Sequence, residues 1–376
     1  MAIIWVLVAM ILGLQACRQS FYYQTIIIII VFRGQMQKEK QMYSANKNRY
    51  EKMIYNRIGN SGLQISAISL GLWNNFGSVD PYENQKGIIH QAFDLGITYF
   101  DLANNYGPIP GSAEENFGKI MATDMKPYRD EMVIASKAGH EMWPGPYGNW
   151  NSRKSIIASA DQSLRRTGLD YFDIFYSHRP DPMTPVAETA QALDQLVRQG
   201  KALYIGISKY SSQETQEIID IFKELKTPFI IHQPRYNMFD RKAERGLFTT
   251  LGENKKGAVG FSSLAQGLLS DKYLKGIPNN SRANKVTIPF LTTEKVEPTI
   301  NTVQKLNQIA QRRGQTLPQM ALAWNLRIPE LASVLIGASN PKQVIENVKA
   351  LDNLSFSPEE LLEIDRALSE YAANQA

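Results

Sequence analysis

Four side chains that can transfer or orient a proton stand at or just after the ends of successive apolar runs. Asp101 ends the run "ITYFD" with Tyr106 one short loop later, Lys137 ends "MVIASK", and His178 ends "FDIFYSH". Singly, such a lysine is usually solvated and such a histidine usually packs in the core. Together they predict carbonyl reduction, because an ammonium lowers the pKa of a phenol, a carboxylate holds the ammonium, and an imidazole orients the carbonyl oxygen. Tyr106 would be the proton donor, and a cofactor would supply the hydride.

These side chains can meet only if the apolar runs are neighbouring strands. The candidate strands are Ile65–Leu70, Thr98–Asp101, Met132–Lys137, Phe172–Ser177, Tyr204–Ser208, Phe229–Pro234, Ala258–Ser262 and Ser333–Ile336. The candidate helices are Asn84–Leu95, Glu114–Met121, Lys154–Thr167, Val186–Gln199, Ser211–Lys223, Thr299–Arg313 and Lys342–Ala350. Gly96, Gly168 and Gly200 stand where three of these helices should end, in the left-handed conformation that a helix C-terminus favours.

Eight strands, each but the last two directly followed by a helix, predict an α/β fold, a closed (β/α)8 TIM barrel with its site at the carboxyl ends of the strands. A doubly wound open sheet is the alternative, but a dinucleotide-binding sheet of that kind would carry a GxGxxG motif, which the chain lacks. The stretch "YNRIGNSGLQIS" predicts an N-terminal β-hairpin that could close the barrel's floor. Residues 270–298 predict a long loop after the seventh strand.

Charge and cysteine content exclude several classes of function. The chain has 376 residues, 43% of them hydrophobic, and a pI near 9.0. Residues 1–53 hold seven Lys or Arg and two acids, which leaves 34 bases and 34 acids in the rest. A neutral body predicts no nucleic-acid partner. The single cysteine excludes a disulfide framework and any multi-cysteine metal site, and we expect no metal.

The N-terminal segment allows two interpretations. "AIIWVLVAMILGL" is shorter than a bilayer span, and the following "LQAC" resembles a lipoprotein cleavage box with Cys17 as the acylated residue. No Lys or Arg precedes the apolar run. We expect translation to begin at Met42, so that residues 1–41 are upstream sequence and 42–376 form one cytoplasmic barrel domain with no membrane contact. The alternative is a signal or lipoprotein segment that anchors the protein through Cys17.

Six motifs resemble successive signatures of the aldo-keto reductase superfamily: "DLANNYG", "ASKAG", "FYSHRPD", "GIS", "HQPRYN" and "LIGASNPKQVIENVKAL". Four more, "SLGLWNNFG", "YGPIPGSAEENFG", "MWPGPYGNWNSRK" and "LAQGLLSDKYLKGIP", resemble its branch of bacterial L-glyceraldehyde 3-phosphate reductases, which is related to potassium-channel β subunits. The resemblance implies a TIM barrel, NADPH, and a catalytic tetrad of Asp101, Tyr106, Lys137 and His178.

The resemblance also implies a set of cofactor contacts. Ser208 and Gln233 would bind the nicotinamide carboxamide, and Phe261 would lie against the nicotinamide face. Lys272 and Arg282 would form a clasp that favours NADPH over NADH, and the helix beginning near Pro341 would point its N-terminal amides at the 2′-phosphate. The remaining implied contacts are Trp73 at the pocket wall, Ser262, Leu264, Gln266 and again Lys272 along the pyrophosphate, and Ser339, Gln343, Glu346 and Asn347 at the adenosine. Without the resemblance, Ser339–Asn347 would read as a plain helix cap.

Three positions depart from the family pattern. Lys209 replaces an asparagine common after the strand-five serine, Arg235 in "HQPRYN" is unusual, and Phe261 stands where many relatives have tyrosine or tryptophan. None removes a member of the tetrad, so we expect activity to survive.

The substrate predicted from the resemblance is a small aldehyde, either phosphorylated or methylglyoxal-like. Trp73, Trp143, Tyr106 and His178 would contact it, and Lys209, Arg179 and Arg153 are the candidate phosphate partners. A cofactor-sensing regulatory subunit, as in the channel β subunits, is the alternative function. A homo-oligomer is possible under either.

Overall fold

The computed structural model describes residues 43–274, 276–277 and 292–373. From Ala45 onward the chain forms one compact unit. Arg282 and Cys17 lie outside the described residues, as does most of the predicted long loop. No helix within the described ranges is long and apolar enough to cross a bilayer.

Eight parallel strands close into a barrel, which confirms the predicted fold class. An N-terminal hairpin of β1 (Tyr55–Arg57) and β2 (Gln64–Ser66) precedes them. The barrel strands are β3 (Ile68–Gly71), β4 (Tyr99–Asp101), β5 (Val133–Ala138), β6 (Phe172–Ser177), β7 (Ala202–Ser208), β8 (Phe229–Gln233), β9 (Gly257–Gly260) and β10 (Leu331–Ile336). They pair in chain order, and β10 closes the ring against β3.

The prediction of one strand over Ile65–Leu70 was wrong. Ala67 divides this run, because β2 pairs antiparallel with the hairpin while β3 pairs parallel with β4 and β10. The Ala67 amide donates to the carbonyl of Ile54, and the Ala67 carbonyl accepts from the amide of Val334. An uninterrupted apolar run thus serves two sheets, and strand periodicity cannot reveal which partner each half will take.

Helices surround the barrel. They are α1 (Tyr82–Asp94), α2 (Ser112–Ile120), α3 (Arg153–Thr167), α4 (Val186–Arg198), α5 (Ser212–Leu225), α6 (Leu247–Glu253), α7 (Thr293–Val296), α8 (Ile300–Arg312), α9 (Leu317–Asn325), α10 (Pro341–Val348) and α11 (Pro358–Ala373). The sequence prediction missed α6, α7, α9 and α11. Helix α9 is mostly apolar and is buried on nearly every side, so it lacks the one-sided pattern by which a surface helix is recognised.

The hairpin packs against the lower end of the barrel interior. Ile58 and Ile65 are fully buried in one cluster with interior residues of β4 to β10, and Leu63 packs against that cluster. Burial of these aliphatic side chains contributes roughly 1.5–3 kcal/mol each. The opposite end, where the strands finish, is left to the polar side chains that could do chemistry.

Candidate active site

The four predicted tetrad residues come from four places at the carboxyl end of the barrel, and the structure brings them together. Asp101 is the last residue of β4, Lys137 lies in β5, His178 directly follows β6, and Tyr106 lies in the loop between β4 and α2. Register accounts for the closeness, because β4, β5 and β6 are consecutive parallel neighbours. Side chains at the ends of such strands lie at one rim.

Lys137 is the centre of the cluster. Its ammonium donates to Oδ2 of Asp101 at 2.5 Å, to the carbonyl of Leu102 at 2.7 Å and to the phenolic oxygen of Tyr106 at 3.3 Å. The side chain is fully buried. Burial lowers the pKa of Lys137, and the charge of Asp101 opposes that change. All three ammonium protons therefore have an acceptor, and one of these is the phenol.

Asp101 is held by groups that the sequence analysis did not connect with it. Its Oδ1 accepts from Nε2 of Gln233 at 2.8 Å and from the hydroxyl of Tyr99 at 3.3 Å. The Tyr99 hydroxyl lies 2.9 Å from that of Tyr176, which is paired in register with Lys137. Period-two alternation could have indicated Tyr99, because residues two apart in a strand point to the same face.

The predicted lowering of the pKa of Tyr106 is not found in this structure. Burial raises that pKa well above its usual value, and the nearby Asp101 charge adds to the increase. The physical reason is that removing a phenolate from water costs more than one ammonium at 3.3 Å returns. Tyr106 is consequently protonated at neutral pH, which is the form that a proton donor needs.

His178 faces the phenol and is neutral. Its ring centroid lies 5.8 Å from that of Tyr106, with the planes nearly perpendicular. Burial, followed by the charges of Lys137 and Lys209, holds the pKa of His178 well below its usual value. Its Nδ1 is buried without a hydrogen-bond partner among the described residues. A neutral imidazole can still donate one N–H bond to an oxygen.

A second histidine near the site escaped the sequence analysis. His140 lies in the loop after β5, and its ring is perpendicular to that of His178 with centroids 4.5 Å apart. Its Nε2 lies 3.1 Å from Nζ of Lys209, the first residue after β7. Its place three residues after Lys137 was the available signal.

Of the two tryptophans predicted to contact the substrate, Trp73 lies beside the tetrad and Trp143 makes no ring contact with it among the described residues. The ring of Trp73 lies 6.4 Å from that of Tyr106 and is 40% exposed, so it borders the opening. Trp143 lies in the loop between β5 and α3, where its backbone packs closely against Gly148. No ring contact joins Trp143 to Tyr106 or His178 in the part of the chain that the structure describes.

The predicted nicotinamide contacts lie beside the tetrad. The Ser208 hydroxyl donates to the Gln233 carbonyl at 2.9 Å, and the Gln233 side chain reaches Asp101. Phe261 follows β9 and presents a half-buried aromatic ring. An amide, a hydroxyl and an aromatic face suit a flat ring that carries a carboxamide. These residues therefore fit a nicotinamide.

The loop after β9 fits a pyrophosphate. Ser262, Ala265 and Gln266 all adopt positive φ, at 57°, 48° and 59°. Left-handed residues other than glycine are strained and cluster at ligand sites, and backbone turns of this kind form anion-binding concavities. Leu264 lies within this loop, and Lys272 lies in the short turn Asp271–Tyr273 beyond it.

The predicted adenosine contacts form a capped helix start. The Asn340 side chain accepts from the Gln343 amide at 3.1 Å, and the Ser339 amide and hydroxyl both donate to Oε1 of Gln343. Glu346 is exposed and paired with Lys349, whereas Asn347 is buried. These bonds account for a helix cap by themselves, so a nucleotide role for this segment stays a prediction.

A closed parallel barrel that carries a buried lysine–carboxylate pair, a phenol and a neutral imidazole at one rim is typical of barrel oxidoreductases. The model of the Aldo/keto reductase family matches residues 67–369. The chain belongs to this family of oxidoreductases, whose members use a nicotinamide cofactor.

Individual relatives cover most of the chain. It is 52% identical to L-glyceraldehyde 3-phosphate reductase of Escherichia coli strain K12 over 340 residues, which is 89% of this chain and 97% of the relative. A probable voltage-gated potassium channel subunit beta of Oryza sativa subsp. japonica is 35% identical over 83% of this chain and 95% of its own. One of Arabidopsis thaliana is 36% identical over 80% and 92%.

Proposed function

We propose that the protein reduces small aldehydes to alcohols with NADPH, and that L-glyceraldehyde 3-phosphate and methylglyoxal-like compounds are its substrates. The observation that carries the proposal is the contact of the Tyr106 hydroxyl with the buried Lys137–Asp101 pair at the open rim of the barrel. Its 52% identity to a reductase of L-glyceraldehyde 3-phosphate supports the substrate. We expect the reaction to take place in the cytoplasm.

In the proposed reaction, Tyr106 and His178 bind the aldehyde oxygen between them. A reduced nicotinamide, when bound, would supply the hydride to the carbonyl carbon. Tyr106 gives its phenolic proton to the oxygen as negative charge develops there. Lys137 then lies beside the resulting phenolate and offsets its charge, while Asp101 keeps the ammonium in position. His178 orients the oxygen with a neutral N–H group.

The cofactor roles are part of the proposal. Ser208 and Gln233 would hold the carboxamide, and Phe261 would pack against the ring. Ser262, Leu264, Gln266 and Lys272 would bind the pyrophosphate, and the N-terminal amides of α10, with Ser339, Gln343, Glu346 and Asn347, would bind the adenosine 2′-phosphate end.

Steady-state oxidation of NADPH tests the proposal. The purified protein is given L-glyceraldehyde 3-phosphate, methylglyoxal and L-glyceraldehyde, each with NADPH and with NADH. We expect turnover with NADPH and a lower kcat/KM with NADH. Absence of turnover with every aldehyde would refute the enzyme and favour a cofactor-sensing regulatory subunit, the alternative supported by 35% identity to a channel β subunit.

A further inference from the structure

A positively charged side chain without a carboxylate partner lies next to the predicted tetrad. Lys209 directly follows β7 and adopts a positive φ of 64°, which side chains other than glycine rarely take. Its Nζ lies 3.1 Å from Nε2 of His140 and 5.7 Å from the ring centre of Phe261. The side chain is reachable by solvent, and its neighbours place the ammonium at the rim, between His140 and Phe261.

The neighbouring arginines of this rim already have ion-pair or hydrogen-bond partners. Arg235 pairs with Asp240 at 3.3 Å. Arg179 donates to the Gly139 carbonyl and to the side chain of Asn149, and its guanidinium lies over Trp150 at 3.6 Å. Among the described residues, the only hydrogen bond found for Lys209 is the one to His140, so two of its three ammonium protons have no acceptor.

The third candidate phosphate partner is also occupied. Arg153 begins α3, where its Nη2 donates to Oε1 of Gln195 at 2.5 Å. Of the three cations that the sequence analysis named, Lys209 is the one bonded to His140 beside the tetrad, and among the described residues two of its three ammonium protons have no acceptor.

His140 accepts a hydrogen bond from Lys209 and leaves the charge of the lysine in place. Burial lowers the pKa of His140 to about 3, with the charge of Lys209 as the next cause, so the ring is neutral. The Lys209 side chain is exposed as a whole, but the protein around its ammonium removes part of the water and lowers the pKa to about 8, helped by the charges of Lys137, Arg179 and Arg235. At neutral pH the ammonium is therefore mostly protonated and is surrounded by other cations. An anion that entered here would be attracted to the Lys209 ammonium, whereas the charge of Arg235 is already paired with that of Asp240.

We propose that Lys209, held by His140, binds the phosphate of a phosphorylated aldehyde and so selects anionic over uncharged substrates. This rests on the proposed function, because the aldehyde oxygen must lie between Tyr106 and His178. The His140 ring lies beside His178, and Lys209 lies beside His140. In a three-carbon aldehyde phosphate the phosphorus is four bonds from the carbonyl carbon. This length suits the short distance from His178, past His140, to Lys209.

Lys209→Met tests the proposal, because methionine keeps an unbranched side chain of similar length without charge. The measured quantity is the ratio of kcat/KM for L-glyceraldehyde 3-phosphate to that for L-glyceraldehyde, which differ only in the phosphate. We expect the ratio to fall at least about 10-fold, since a hydrogen bond to a charged group contributes on the order of 1.5–3 kcal/mol. Arg235→Met removes a neighbouring cation that is already paired, so the ratio should stay within about twofold.

Lys209 could instead act on the cofactor, and the same data separate the two cases. An equal loss on both aldehydes would overturn the proposal, because it would mean that Lys209 supports nicotinamide binding and not the substrate anion. If Lys209→Met does not fold, Lys209→Gln replaces it in the same assay.

Binding without turnover separates this proposal from the proposed function. Calorimetric titration with L-glycerol 3-phosphate in the presence of NADP⁺ should show an affinity at least about 10-fold weaker for Lys209→Met than for the parent. Glycerol serves as the uncharged control. Equal affinities for both proteins, or no binding to the parent, would refute Lys209 as a phosphate site. Failure of turnover alone would refute only the enzyme.

Discussion

At the scale of single residues, the enclosed Lys137–Asp101 pair is the feature that most needs an explanation. Its side chains are 0% and 2% exposed. Desolvating two charges costs several kcal/mol per ion, so a buried pair contributes little to stability by itself. The bonds from Gln233 and Tyr99 to Asp101 reduce that cost. What the pair provides is an ammonium fixed beside the Tyr106 hydroxyl.

Tyr106→Phe should retain cofactor binding and lose at least about 100-fold in turnover, as expected when a general acid is removed. The ring and its packing stay, so NADPH affinity, measured by nucleotide fluorescence, should change little. Tyr171→Phe makes the same chemical change away from the site and should turn over at the parental rate. If Tyr106→Phe keeps that rate as well, the proton donor is a different group.

The ionisation of Lys209 predicts a pH dependence for phosphorylated substrates. Its pKa is lowered to about 8, so the ammonium is present below that pH and lost above it. We expect kcat/KM for L-glyceraldehyde 3-phosphate to fall as pH rises through about 8, with no such step for L-glyceraldehyde. The charged or titratable groups that face Lys209 are Lys137, His140, His178, Arg179 and Arg235, the last of these paired with Asp240.

Lys209→Met should remove this step from the pH profile. The kcat/KM profile reports groups of the free protein, so the two aldehydes share every other protein ionisation, and the phosphate itself ionises lower, with a second pKa of about 6. Persistence of the step in the variant would assign it to a different group.

At the scale of elements, β7 supports the site by leaving room for a ring on β6. A Cβ on Gly206 would lie 2.3 Å from Cε1 of Tyr176, far inside contact distance. The Tyr176 hydroxyl is bonded to that of Tyr99, which in turn donates to Asp101. Glycine at position 206 therefore determines where the Tyr176 ring can lie, and through Tyr99 it affects the carboxylate.

Gly206→Ala should lower the free energy of unfolding by about 1–3 kcal/mol, the usual cost of an extra group in a packed core. Turnover should fall as well, because the ring supports Asp101. Gly62→Ala is the matched control, since a Cβ there meets nothing within 4 Å. Denaturant unfolding followed by circular dichroism measures the stability of both variants. Equal stability of the two variants would contradict this account of β7.

At the scale of the whole molecule, one end of the barrel is packed and the other carries the predicted site. The hairpin closes one end with aliphatic side chains, while the opposite end keeps the polar groups that strands β4 to β9 deliver. Separating the packed end from the reactive end allows the loops of the rim to hold strained and charged residues without exposing the core.

Nucleotide binding should stabilise the whole molecule, and more strongly for NADPH than for NADH. A ligand present at 100 times its dissociation constant adds about 2.7 kcal/mol to the stability of the folded state. We expect a higher melting temperature with NADP⁺ than with NAD⁺ at equal concentration, because the α10 amides are proposed to bind the 2′-phosphate. Equal shifts with both nucleotides would contradict NADPH preference, and removal of the nucleotide should restore the original melting temperature.

The order of the strands and the meeting of the four predicted tetrad side chains at one rim were predictable from the sequence, because both depend on local patterns. Each strand is a short apolar run, and each tetrad residue stands in or beside a strand end that parallel pairing brings to one rim. Phe172–Ser177 was predicted with its observed bounds, and Asp101, Lys137 and Tyr106 are in hydrogen-bond contact as expected.

Only the tertiary structure decided how these groups are ionised and which partners each cation of the rim has. The direction of the pKa of Tyr106 depends on burial, and the availability of Lys209 depends on partners taken by Arg179 and Arg235 elsewhere on the rim. A side chain's identity is local, but its desolvation and its hydrogen-bond partners are set by residues distant in sequence. The amino-acid sequence therefore determined which chemical groups lie at the rim. Packing decided the protonation state of each of these groups.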